Sequence, residues 1–174
     1  MSTAPSFSWT TRAETDTDLP AIRETVLAAF DTPLEADLVD ALRTDPAWID
    51  GLSSLVSTTA EGRVVGHALL TRCHIGDTPA LCLAPVAVLP TYQRTGAGSA
   101  VVRAALKAAE DSGERFVTVL GHPDYYPRFG FTRASRYGIG LSFEVPDEAL
   151  MALALDADHP LPRGTIRYAA PFGV

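Results

Sequence analysis

The stretch that most restricts the fold runs from residue 81 to residue 120. "LCLAPVAVL" (81–89) is apolar at nearly every position, which predicts a central strand covered on both faces. From about Gly98 to Ser112, the residues Val101, Val102, Ala105, Leu106 and Ala109 recur at helical spacing. Gly113 is placed to stop that helix, and "RFVTVL" (115–120) is strand-like again. Strand, helix and strand at these lengths form a crossover, which joins parallel or near-neighbour strands with right-handed chirality. Pro85 interrupts the first strand. Proline has no N–H for a ladder, so a bulge or a local break is expected there.

Around this unit the chain reads as mostly antiparallel strands. The first six residues suit a frayed terminus, and "FSWTTRAE" (7–14) suits a first strand. A helix then starts at Thr17 or Asp18, with Pro20 in its first turn and Ile22, Val26, Leu27 and Phe30 on one face. "PLEADLVDALR" predicts a second helix. Strands over 52–60 and 63–75 flank "EGR", a hairpin turn, and "GDTPA" reads as the turn before the central strand. Residues 121–131 form a turn-rich loop or single helical turn, 137–145 a strand, 146–155 a short helix and 164–172 a last strand. No repeat or linker divides residues 1–174, so one α/β domain is expected.

Between the central strand and its helix lies "QRTGAGS" (93–99). Unpaired N–H groups and the helix dipole make a helix N-terminus attractive to an anion, above all a phosphate. Gly96 and Gly98 let the backbone approach a ligand, Ala97 keeps the turn small, Ser99 adds a hydroxyl and Arg94 a positive charge. Neither the G-x-x-x-x-G-K-[ST] pattern nor G-x-G-x-x-G is present, because Val101 stands where the latter needs its third small residue. The stretch reads as a pyrophosphate cradle of another kind, or as a plain turn.

A formal net charge of -7 argues against a general nucleic-acid surface. Cys73 and Cys82 give neither a disulfide framework nor metal-ligand spacing, and four scattered histidines add no zinc pattern, so no metal is expected. Both thiols sit in apolar runs and are expected to be buried and reduced. No segment approaches membrane-spanning length, and a cytoplasmic location is expected.

"VAVLPTYQRTGAGSAVVRAAL", followed one strand later by "VTVLGHPDYYPRFGF", resembles the GNAT superfamily of acetyl-coenzyme A-dependent N-acetyltransferases. The likeness covers roughly residues 50 to 132, and the tail is similar to the YhbS-like bacterial branch. It implies a twisted, mixed, mostly antiparallel sheet of about seven strands with helices on both faces. It also implies a splay between the fourth strand (81–89) and the fifth (115–120), with acetyl-CoA entering the gap. By the same resemblance, backbone groups of Val86, Ala87 and Val88 pair with the pantetheine arm. Gln93, Arg94, Thr95, Gly96, Ala97, Gly98 and Ser99 wrap the pyrophosphate. Family members carry a bulge where Pro85 stands.

Tyr126 falls four residues before Gly130, where the family motif places its general acid, and Val88 N–H is implied as the donor to the thioester carbonyl. Tyr125, Phe129 and Phe131 are expected to pack. The base is open, since "LCLAPVAVL" lacks the glutamate many members carry on this strand. His122, just past the fifth strand, is the leading candidate, with His74 and Asp124 as rivals and a backbone carbonyl with water as another route. His67 and His159 are expected to be structural or exposed. Arg103 and Lys107 suit a wet helix face, although Arg103 could reach the cofactor's phosphates.

The acceptor is expected to be a primary amine of a small molecule or peptide. Glu35, Asp37, Asp40, Trp48, Asp50, Glu144 and Asp147 lie in the segments that build acceptor sites in this fold, and their acidity would suit a cationic amine. A donor with a longer acyl group, or a non-catalytic module binding acyl-CoA, remains as an alternative. A homodimer through "LSF" and "IRY" is a further expectation.

Overall fold

The structure, a computed structural model, describes residues 8–174. The frayed terminus expected at residues 1–6, and Phe7 of the first predicted strand, lie outside the described residues. Strand β1 (Thr10–Ala13) is followed by helices α1 (Leu19–Ala29) and α2 (Leu34–Leu42). Strands β2 (Ser54–Thr58), β3 (Val64–Ile75) and β4 (Thr78–Val88) come next. Helix α3 (Ala97–Asp111) then leads to β5 (Phe116–Leu120). Two-residue strands β6 (Thr132–Arg133) and β7 (Ile139–Gly140) precede β8 (Leu150–Ala154) and β9 (Gly164–Arg167).

The sheet runs β1-β2-β3-β4-β5-β8-β6, with β9 on β3 beyond the end of β2. Pairing is antiparallel except between β4 and β5 and in the short β7–β9 pair. Alternation along the strands feeds two layers. Leu55, Ala68, Leu70, Leu83 and Val117 meet the α3 stripe of Val101, Val102, Ala105 and Leu106. On the opposite face Val56, Val64 and Ala87 meet Ile22 and Val26 of α1, while Leu69 meets Val39 and Leu42 of α2.

Three expectations need correction. Residues 146–155 are not a helix: a short 3-10 turn at Asp147–Ala149 leads into β8. The edge of β5 away from β4 must find partners for its backbone groups, and β8 supplies them along its full length, from Phe116 opposite Ala154 to Leu120 opposite Leu150. That demand overrides the helix preference of "EALMALAL". Next, β4 begins at Thr78, because the turn needs only Gly76 and Asp77. Finally, the strands expected at 137–145 and 164–172 shrink to β7 and β9. Gly138, at φ 72°, turns the chain just before β7, and a 3-10 turn at Ala170–Phe172 follows β9.

His67 on β3 is wholly buried, its Nε2 2.8 Å from Ser54 Oγ. Burial, and then the charge of Arg43, push its imidazole down to about 3. The unfolded chain takes up that proton near pH 6.5 and the folded chain does not, so stability falls as pH drops from 6.5 toward 3. Between pH 7 and pH 5 the loss should be about 2 kcal/mol. Thermal unfolding should show a smaller fall in Tm over that interval for His67→Gln than for the parent. An equal fall would place the proton uptake elsewhere.

Cys73 and Cys82 are free and buried. Burial raises both thiols, Cys73 to about 12, so neither offers a thiolate near neutral pH. Among the described residues no cluster of His, Cys, Asp or Glu could hold a metal ion, and no helix is long and apolar enough to cross a membrane.

Candidate active site

β4 and β5 pair at two positions, Leu81 with Val117 and Cys82 with Thr118. Beyond Cys82 the strands separate, although β4 continues to Val88. Pro85 contributes to the geometry of this segment. Ala68 lies opposite Val86 but Leu70 lies opposite Leu83, so two steps on β3 face three on β4. Ala84 and Pro85, joined by a cis peptide bond, fall within the extra step, and the bulge predicted from the proline is present.

The bulge sets which way the end of β4 faces. Val86 and Val88 line a cleft of about 730 Å³, while Ala87 turns into the core against Ile22 and Val26. Gly96, Gly98 and Ser99, at the start of α3, line the same cleft with Gln93 and Arg94. Gly96 caps α3 in the left-handed region at φ 92°, where glycine carries no Cβ penalty. Arg94 holds φ 63°, a left-handed backbone without glycine's freedom. The bond from Ala100 N–H to Gly96 O opens the ladder of α3, which leaves the amides of residues 97–99 ahead of it.

A Cβ on Gly98 would lie 3.0 Å from Val88 Cγ2 and 3.4 Å from the Tyr125 hydroxyl, so a side chain there would intrude on the cleft. This open backbone, backed by helix amides and flanked by Arg94, fits a pyrophosphate. Gln93 donates through Nε2 to Val88 O at 3.3 Å, tying the cradle to the strand. Thr95 and Ala97 stand behind it. Thr95 O accepts from Trp9 Nε1 at 3.1 Å, its hydroxyl donates to Tyr92 O, and Ala97 is buried beside Val65 and Leu89.

The far wall comes from the segment after β5. His122, Tyr125, Tyr126 and Arg128 line it. The 3-10 turn Tyr126–Phe129 ends at Gly130, at φ 99°, and its aromatic side chains lock together. Tyr125 and Tyr126 meet edge to face at 5.1 Å, and Tyr126 meets Phe131 in the same way at 5.9 Å. Tyr126 also lies against bare backbone, for a Cβ on Gly121 would fall 2.5 Å from its ring. Burial first, then Tyr125, raise the Tyr126 phenol to about 12, which keeps it a proton donor. Tyr125 packs as expected and also places its hydroxyl 3.1 Å from Ser99 Oγ.

The rival bases are not on this wall. His74 sits at the other end of β3, opposite Arg167 of β9, and Asp124 is exposed outside the cleft. Arg103 stacks 5.0 Å over the Phe129 ring, also outside the cleft. Sequence reasoning passed over Arg128, whose guanidinium lies 4.4 Å over the Tyr125 ring, and Phe30, which it assigned to a core face. Arg128 lies two residues after Tyr126, inside the quoted motif. A smaller cleft of about 250 Å³ beside β1 takes Trp48 and Asp50, together with Arg43 bound to Glu14.

The sequence profile of the Acetyltransferase (GNAT) family matches residues 19–131. The chain is 38% identical over 162 residues to the uncharacterised N-acetyltransferase YjhQ of Escherichia coli (strain K12), covering 88% of each chain. Among solved structures it is similar to YhbS from Escherichia coli in complex with CoA, with a TM-score of 0.86 and 27% identity over 100% of this chain and 97% of that one. A GNAT family acetyltransferase from Brucella melitensis in complex with acetyl-CoA gives a TM-score of 0.76 and 30% identity, over 95% and 99% of the two chains.

Proposed function

The chain belongs to the acetyltransferase (GNAT) family, and from that premise we propose that residues 1–174 form one transferase domain moving an acetyl group from acetyl-CoA directly to a primary amine. One observation carries the reading: the splayed edge of β4, the glycine cradle, His122 and Tyr126 surround a single cleft. The CoA and acetyl-CoA complexes of the similar proteins support the donor.

When bound, acetyl-CoA supplies an acyl group activated as a thioester. The chain's residues do the rest. Amides of the first turn of α3, with Arg94, hold the pyrophosphate, and backbone groups of Val86 to Val88 hold the pantetheine arm as a neighbouring strand would. Val88 N–H polarises the acyl carbonyl. Tyr126, on the lining of the cleft, would donate its O–H to the departing sulfur. With its phenol near 12 against about 8.5 for a thiol, it stabilises the thiolate mainly as a hydrogen-bond donor. His122, which lines the same cleft, is the side chain assigned here to receive the proton of the amine, directly or through water.

Calorimetric titration with acetyl-CoA, followed by thiol release with a panel of primary amines, tests the proposal. Absence of binding to folded protein would overturn it. Gly121→Ala gives a finer check, since the added methyl must displace the Tyr126 ring. Turnover should fall about tenfold or more while acetyl-CoA affinity holds, because the acid moves and the cradle does not. Unchanged turnover would show that the position of this ring does not matter.

A further inference from the structure

Of the acidic residues that suggested a cationic acceptor, four are engaged by other side chains. Asp37 and Asp40 bind Arg23, Glu35 accepts from Thr32, and Asp147 is held by Arg133 and Ser135. Asp50 lines the smaller cleft beside β1. Around the larger cleft, the described lining residues include no carboxylate. Its titratable or charged side chains are Arg94, His122, Tyr125, Tyr126 and Arg128. With Arg94 given over to the pyrophosphate, Arg128 is the fixed charge left on the described lining, and with no carboxylate beside it an ammonium ion is disfavoured.

The remaining wall is apolar. Ala29 and Phe30 close α1 there, with Val86 of β4. Close by in the sequence, Leu27 of α1 and Leu34, the first residue of α2, are 41% and 70% exposed. An apolar wall of this kind suits an acceptor with an apolar body.

Resting on the transferase reading, we propose that the acceptor is a weakly basic primary amine on an apolar body, an α-amino group or an arylamine bound as the free base, and that ε-amino groups and polyamines are rejected. The new C–N bond uses the nitrogen lone pair, so the amine must be neutral when it attacks. As it forms, the C–S bond breaks, the nitrogen releases one proton and the sulfur ends with one. An α-amino group, with a pKa of about 8, is roughly 10% neutral at pH 7, whereas a lysine ε-amino group near 10.4 is about 0.04% neutral. A carboxylate beside the nitrogen would hold the ammonium of the stronger base and take its proton. The described residues of this wall offer none, and Arg128 adds to the penalty.

The test uses the full chain, acetyl-CoA and four acceptors: phenylalanine amide, glycine amide, Nα-acetyl-lysine amide and spermidine. Acetyl-CoA binding is measured first by calorimetry. At pH 7, kcat/KM for phenylalanine amide should exceed that for the lysine derivative and for spermidine by at least about 100-fold, in line with the neutral fractions. Glycine amide should fall about tenfold below phenylalanine amide, having no apolar body to bury. In Phe30→Glu, which sets a carboxylate on the apolar wall, the preference over the lysine derivative should narrow by about tenfold or more. A protein that binds acetyl-CoA but ranks these amines otherwise, or acetylates none of them, overturns the acceptor class alone. A protein that does not bind acetyl-CoA overturns the transferase reading as well.

Discussion

Gly98→Arg is expected to abolish acetyl-CoA binding in a chain that still folds. A side chain here is crowded from its first atom, since a Cβ would come within 3.0 Å of Val88 Cγ2 and 3.4 Å of the Tyr125 hydroxyl. The longer arginine must then project into the cleft across the amides that hold the pyrophosphate. Its positive charge does not rescue binding, because the cradle works by close backbone approach. Helical backbone at this position accepts arginine readily, so the fold should survive. Calorimetry should show affinity reduced by at least about 100-fold, with circular dichroism and Tm close to the parent. Retained affinity in the variant would move the phosphates away from residues 93–99.

Tyr126→Phe should separate chemistry from binding. The ring is clamped between Tyr125, Phe131 and the backbone of Gly121, and phenylalanine keeps all of those contacts. What disappears is one hydroxyl, held protonated by burial. A positioned acid or hydrogen-bond donor is worth roughly 10²–10⁴ in rate, so kcat should fall by about 100-fold or more. Acetyl-CoA affinity should change little, and the loss should appear in kcat and kcat/KM together. A module that binds acyl-CoA without turnover has no rate for this substitution to lower. Parent-like turnover in Tyr126→Phe would remove the tyrosine from the chemistry.

Much of this architecture was legible because its signals are local. The apolar run at 81–89, the helical stripe through Ala109 and the glycines at 96 and 98 each act within a few residues of themselves. Pro85 announced the bulge for the same reason: a missing N–H breaks a ladder wherever it falls. Residues 146–155 were misread because their conformation is decided by the open edge of β5, some thirty positions earlier in the chain. The same limit applies to the cleft. The cradle and Tyr126 stand out in the sequence, but Phe30 and Arg128 reach its wall only after a helix and a turn have brought them there. Charge was the least legible property. Counted along the chain, acids surround the expected acceptor segments, yet in space Asp37, Asp40 and Asp147 pair with Arg23 and Arg133, and the described residues lining the cleft include no carboxylate.

The parting of β4 from β5 has a consequence for the protein's lifetime. A sheet open in its interior lacks hydrogen-bond partners that a neighbouring strand would otherwise supply. On the proposed reading, the donor itself fills that place, and a ligand present at a hundred times its Kd adds about 2.7 kcal/mol to the folded state. Proteases that attack transiently opened chains should therefore remove the empty protein faster than the loaded one. The amount of enzyme that survives would then follow the supply of acetyl-CoA, with no regulator beyond the missing strand.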